Sequence, residues 1–141
     1  VSEDLSELSA ELRAAVARIY RRFRSERGDG ELGDAALGVL IQLHKTGPHT
    51  LTELCEADRV TAGSMSQTIR RLETGGFIAR RKDATDGRRV LIELTPAGEQ
   101  TAQAARAQSV SWLNARLAEF TEEERAVLKQ AAALMRRTAD T

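Results

Sequence analysis

Leu5, Leu8, Leu12, Val16, Ile19 and Phe23 recur at steps of three and four, so they form one apolar stripe on a helix. Asp4-Leu-Ser-Glu7 has capping-box spacing with Asp in the cap position, which predicts that this helix begins at Asp4. Gly28-Asp-Gly30 is expected to end it. A second helix is predicted over roughly Asp34 to Lys45, with Leu37, Leu40, Ile41 and His44 on one face and Gly47-Pro48 closing it. Thr50-Leu-Thr-Glu53 is another capping box, opening a short third helix that turns Leu51, Leu54 and Cys55 inward and stops near Asp58. The fourth helix starts at about Thr61. Its spacing buries Met65, Ile69 and Leu72, leaves Gly63, Ser66, Gln67 and Arg70 outward, and ends at Gly75-Gly76.

The pattern then changes period. Phe77 to Lys82 and Arg89 to Thr95 read as two strands, with Val90, Ile92 and Leu94 alternating as in a half-buried strand. Asp86-Gly87 between them is a strong turn signal. Thr95-Pro96 opens a fifth helix, Thr at the cap and Pro in the first helical position, running to about Glu119. Thr121-Glu-Glu-Glu124 caps a sixth, whose apolar face is Val127, Leu128, Ala131, Leu134 and Met135. The fold class is therefore mainly α with one small β-hairpin, and no internal repeat or long linker interrupts it.

A chain of 141 residues suits one domain with its own core. A single cysteine excludes an internal disulfide framework and suits a reducing cytoplasm. No apolar run approaches the roughly 20 residues of a membrane span. The start, Val1-Ser-Glu-Asp-Leu5, is acidic and polar, unlike a signal peptide; it lacks Met, so a trimmed start is expected. The apolar stripes at both ends exceed what a small central core can cover. Leu5, Leu8, Leu12, Leu113, Leu117, Phe120, Leu128 and Leu134 are expected to pack against a second copy, the alternative being a monomer with the first helix folded on the last two.

The formal net charge is zero, but its distribution is uneven. Arg70, Arg71, Arg80, Arg81, Lys82, Arg88 and Arg89 crowd one segment, whereas Glu3, Asp4, Glu7 and Glu11 lie near one end and Glu122, Glu123 and Glu124 near the other. One face can meet phosphates while the rest is kept away from them. Within the basic segment, Thr61, Ala62, Gly63 and Ser64 are small enough to let a helix start approach base edges in a major groove. Gln67 can pair bidentately with adenine, Ser66 can donate or accept at either base, and Arg70 can reach a guanine or a phosphate. Arg71 has two readings, a DNA contact or an ion pair within the protein. Arg88 sits at the hairpin tip, where a long cation can enter a narrow minor groove. Arg80, Arg81, Lys82 and Arg89 are expected to attract phosphates, which supplies affinity and salt sensitivity without sequence reading.

Three motifs in this order, Leu72-Glu73 with Gly76-Phe77-Ile78, the loop Asp83-Ala-Thr-Asp86-Gly-Arg88, and Leu94-Thr95-Pro96-Ala-Gly98, resemble the MarR family of bacterial winged-helix regulators over nearly the whole chain. The family often carries an arginine or an acid where this chain has Thr85. The resemblance implies a winged helix-turn-helix over residues 32–98, a helical dimerisation region at 1–30 and 99–141, and a single MarR-like domain over 1–141. It further implies an obligate homodimer on a palindromic operator in double-stranded DNA, usually a repressor released by a small molecule, and a role for Asp86 in bracing the Arg88 guanidinium. Tyr20, Phe23, His44 and Trp112 come from helices that line the ligand cleft of such proteins; plain core is the competing reading.

Other chemistry is sparse. Cys55 does not match the position of the sensing cysteine near the chain start in peroxide-responsive relatives, and its helical face suits a small buried hydrophobe. His44, His49 and Cys55 fit no zinc spacing, and no metal or cofactor is expected. Phosphate loop, HExxH and nucleophile–base spacing are all missing, so a small enzyme is the weakest alternative. A winged-helix module that binds another protein without reading DNA is the stronger one.

Overall fold

The computed structural model describes residues 2–26 and 32–141. Six helices and one hairpin follow in the order α1 (Ser2–Glu26), α2 (Asp34–Thr46), α3 (Leu51–Asp58), α4 (Ala62–Thr74), β1 (Ile78–Lys82), β2 (Val90–Leu94), α5 (Pro96–Leu117) and α6 (Glu122–Ala139). The chain is mainly α with a two-stranded wing, as the periodicity predicts. Helix α1 begins two residues before the expected start. Asp4 is therefore inside the first turn, where its charge still complements the positive helix end, and is not the cap. The terminator expected at Gly28 to Gly30 lies outside the described residues.

Several ends are fixed by the residues read for them. Thr50 and Thr121 each complete a reciprocal capping box, with Glu53 and Glu124. Helix α4 closes in a Schellman motif: the Phe77 N–H donates to the Leu72 carbonyl at 2.9 Å and the Gly76 N–H to that of Glu73 at 3.1 Å, with Gly76 at φ +81°. Phe77 is thus spent on the cap and not on a strand. Thr95 likewise caps α5, accepting from the Gly98 N–H at 3.2 Å while its hydroxyl donates to the Gly76 carbonyl at 2.6 Å. These two bonds join the end of α4 to the start of α5 across the base of the hairpin.

The core gathers Val39, Leu40 and Leu43 of α2, Leu54 of α3, Met65, Ile69 and Leu72 of α4, Ile78 and Ile92 of the wing base, and Ala102 of α5. Full burial of each large aliphatic side chain contributes roughly 1.5–3 kcal/mol. The face expected for α2 is rotated. Ala36, Val39, Leu40 and Leu43 are buried, while Leu37, Ile41 and His44 are half-buried, because α2 packs against α4, α5 and β2 together and the innermost line falls between them. Strands β1 and β2 pair antiparallel, Ile78 opposite Leu94 and Lys82 opposite Val90. Only the base of the hairpin reaches the core, so Val90 near the tip is exposed against expectation. A backbone bridge adds a third edge: His49 N–H donates to Ile92 O at 3.1 Å and Ile92 N–H to His49 O at 2.7 Å.

Candidate nucleic-acid interface

Helix α4 begins at Thr61, whose side chain accepts from the Ser64 N–H at 3.2 Å. Its first turn carries no acidic residue, so the positive end of the helix dipole is left uncompensated. Thr61, Ala62, Gly63, Ser64, Gln67, Arg70 and Arg71 are exposed, and Met65, Ile69 and Leu72 seat the opposite face in the core. Ser66, expected to point outward, is half-buried. Gln67, Arg70 and Arg71 line an open depression that continues to Thr74 and Gly75.

The wing tip is a built turn. Asp83 accepts from the backbone and hydroxyl of Thr85 at 3.0 and 2.9 Å, and Arg89 N–H closes the turn onto Asp86 O at 3.0 Å. Those Thr85 bonds hold the Asp83 carboxyl below its ordinary range, with Arg89 adding a smaller attraction. Asp86 does not brace the Arg88 guanidinium. Its Oδ1 accepts from the Arg88 backbone N–H at 3.0 Å, because a two-residue separation within the turn favours that local bond.

The expected phosphate-attracting set divides in two. Arg80 Nε meets Glu73 Oε2 at 3.2 Å and Arg81 Nε meets Glu93 Oε2 at 2.7 Å. Arg89 pairs with Glu53 at 3.0 Å and with Asp83 at 3.4 Å. Arg70, Arg71, Lys82 and Arg88 have no acidic partner among the described residues. Of the two readings of Arg71, the internal ion pair is therefore not formed. Glu53 is a residue whose second role the sequence pattern misses. Its capping signature is local, but its partner Arg89 lies 36 positions away, and no short-range pattern encodes that distance. Bonds from Thr50 above all, then from His49, with the charge of Arg89, hold the Glu53 carboxyl at about 2.

Of the four residues placed near a ligand cleft, Phe23 and Trp112 meet edge to face with centroids 5.5 Å apart. Arg22 lies over the Trp112 ring at 5.1 Å, and the buried Trp112 Nε1 has no hydrogen-bond partner among the described residues. His44 Nδ1 contacts Glu99 Oε1 at 2.6 Å, joining α2 to α5, and Tyr20 is exposed. Cys55 is half-buried against the core. No described helix is long and apolar enough to cross a membrane.

The sequence profile of the MarR family matches residues 34–90, the span from α2 to the first residue of β2. Over 128 residues the chain is 34% identical to an HTH-type transcriptional regulator of Mycobacterium tuberculosis, covering 91% of this chain and 90% of that protein. The chain belongs to the MarR family. It is a DNA-binding transcriptional regulator and not an enzyme. The fold is also that of a MarR family protein from Bacillus stearothermophilus, with TM-score 0.88 and 21% identity over 100% of this chain and 99% of that one. Streptococcus pneumoniae FabT, solved in complex with DNA, matches with TM-score 0.79 and 18% identity over 99% and 98% of the two chains.

Proposed function

We propose that this MarR family protein is a homodimeric repressor that binds a palindromic operator and is released by a small-molecule ligand in the cytoplasm. The observation that carries the DNA-reading half is the pairing of α4, whose Thr61, Ala62, Gly63, Ser64, Gln67 and Arg70 are exposed, with a wing tip whose Arg88 has no acidic partner among the described residues. In this reading Gln67 and Ser66 read base edges, Arg70 reaches a guanine or phosphate, Arg88 enters the minor groove, and Lys82 attracts phosphate. Arg80 and Arg81, paired through Nε with Glu73 and Glu93, attract phosphate less strongly than Lys82 does. The homodimer rests on the exposed stripe Leu5, Leu8, Leu12, Val16 and Ile19 and on Val127, Leu128, Leu134 and Met135 of α6, which this single chain leaves uncovered. Residues 1–30 and 99–141 form the dimerisation region and 32–98 the DNA-binding region. The effector reading rests on Trp112 Nε1, buried beside Phe23 with no hydrogen-bond partner among the described residues.

The test is a pair of titrations on duplexes that the wild-type protein selects from a random pool, at several salt concentrations. Arg88→Ala should weaken binding to selected and random DNA alike and flatten the slope of log affinity against log salt by up to about one unit. Gln67→Ala should cost roughly 1–3 kcal/mol on selected DNA, little on random DNA, and leave the slope unchanged. Wild-type affinity of Arg88→Ala at every salt defeats the reading.

A further inference from the structure

Arg89 stands next to the wing tip and belongs, by sequence, with the phosphate-attracting cations. Its surroundings give it different work. One guanidinium nitrogen, Nη2, lies 3.0 Å from Glu53 Oε1 in the first turn of α3, and the other, Nη1, lies 3.4 Å from Asp83 Oδ2 at the start of the loop. Glu53 is itself held in place. Its Oε1 accepts from the Thr50 N–H at 3.0 Å, and its Oε2 faces His49 Nδ1 at 3.6 Å. Asp83 is likewise fixed by Thr85. With two ordered carboxylates on different elements already offsetting its charge, Arg89 attracts phosphate less than an arginine without such partners would.

Strand β2 is already attached to the segment before α3 by the paired backbone bonds between His49 and Ile92. Arg89 is three residues farther toward the tip, about 10 Å along an extended strand. Arg80, opposite Ile92 on the facing strand, is tied to α4 through Glu73, so both strands are held at that level and the tip beyond it would still be able to swing. A further attachment at Arg89 restricts that freedom, and the residue whose direction it fixes is its neighbour Arg88. An isolated exposed ion pair contributes little, because ordering two long side chains offsets the attraction. Here Glu53 is pre-ordered by its capping bonds and Asp83 by its turn, so most of that ordering is complete before Arg89 arrives.

We infer that Arg89 is a positioning residue, forming with Glu53 a clasp that sets the angle of the wing against the helix-turn-helix and so aims Arg88. This rests on the DNA-binding mode proposed above, and its test has one arm without DNA. Glu53→Gln keeps an oxygen for the Thr50 N–H but removes the charge, and Arg89→Gln removes the other half. In the free protein, hydrogen–deuterium exchange across residues 83–90 should quicken in both single variants. Glu53→Gln/Arg89→Gln should exchange no faster than the quicker single variant, since Arg89→Gln already loses the Glu53 pair along with that to Asp83. Against duplexes selected by the wild-type protein, each single variant should bind roughly five-fold more weakly, and the double no worse than the weaker single. If Arg89 is instead a phosphate contact that Glu53 sequesters, Glu53→Gln should bind more tightly with a salt slope steeper by up to about one unit. Unchanged exchange in Glu53→Gln, or tighter DNA binding by it, overturns the clasp. A wild-type protein that selects no duplex overturns the proposed function, and the exchange arm then still decides whether the clasp exists.

Discussion

Glu53 shows how much one side chain can carry. It caps α3, faces His49 and receives Arg89, and the outcome is a carboxyl at about 2 instead of the 4.5 of an unperturbed glutamate. A carboxyl depressed on folding stabilises the folded state above its unfolded value, and that contribution is lost as pH falls through the folded value. The advantage of wild type over Glu53→Gln in thermal melts should therefore be complete above pH 4.5 and shrink toward pH 2. The Thr85 bonds that chiefly depress Asp83 are untouched by the substitution, so its contribution should largely cancel in the difference. A gap between the two melts that is constant from pH 5 to about 2 would remove the charge from the account. What the sequence conveys at this scale is the local half of each residue's work. Thr50-Leu-Thr-Glu53 announces a cap, and Asp86-Gly87 a turn, because both use neighbours within three positions. The partners of Arg80, Arg81 and Arg89 lie 7, 12 and 36 residues away, so the Arg81–Glu93 pair exists only once the hairpin has formed, and the other two only once it is folded against α4 and α3.

Among the elements, the hairpin is legible because its period, its turn and its flanking caps agree. The misjudged details are those set by neighbours. The inward face of α2 depends on three surrounding elements, and the exposure of Val90 depends on where the core stops. Gly98 is the clearest case of an element-level constraint hidden in a motif. It sits in the first turn of α5, and a Cβ there would overlap the Phe77 carbonyl oxygen and crowd Leu94 Cδ2 at 3.1 Å. Glycine is required there for close approach, since helix α5 must start against the backbone that ends α4. Gly98→Ala should destabilise the fold by about 1–3 kcal/mol, read by denaturant melts, because backbone has no rotamer to give way. By contrast Gly63→Ala, with open space around its Cβ, should leave stability unchanged or slightly raised. Equal stability of the Gly98→Ala variant would mean that the junction between α4 and α5 can shift.

The whole molecule divides into a covered centre and uncovered ends. The core lies between α2 and the start of α5, whereas Leu5, Leu8 and Leu12 are 60%, 52% and 45% exposed and α6 has no buried residue. Among the described residues α6 has no extensive packing against another element. Apolar stripes of this length left in water favour association. Leu8→Glu/Leu12→Glu should sediment as a monomer, keep its helical circular dichroism and lose affinity for selected DNA. A stable dimer of that variant would exclude α1 from the interface. This division was visible in the sequence as a surplus of apolar stripes, but their partner was not, since a stripe states what must be covered and not by what.

Trp112 is the only tryptophan of the chain, and it lies where α1 meets α5. Its ring touches Phe23 and carries Arg22 on one face, and its Nε1 is buried without a hydrogen-bond partner among the described residues. The protein thus contains its own optical probe at the joint between its uncovered first helix and the helix that leads out of the wing. Light emitted by that one indole reports how α1 lies on α5, with no label attached and no second tryptophan to blur the signal.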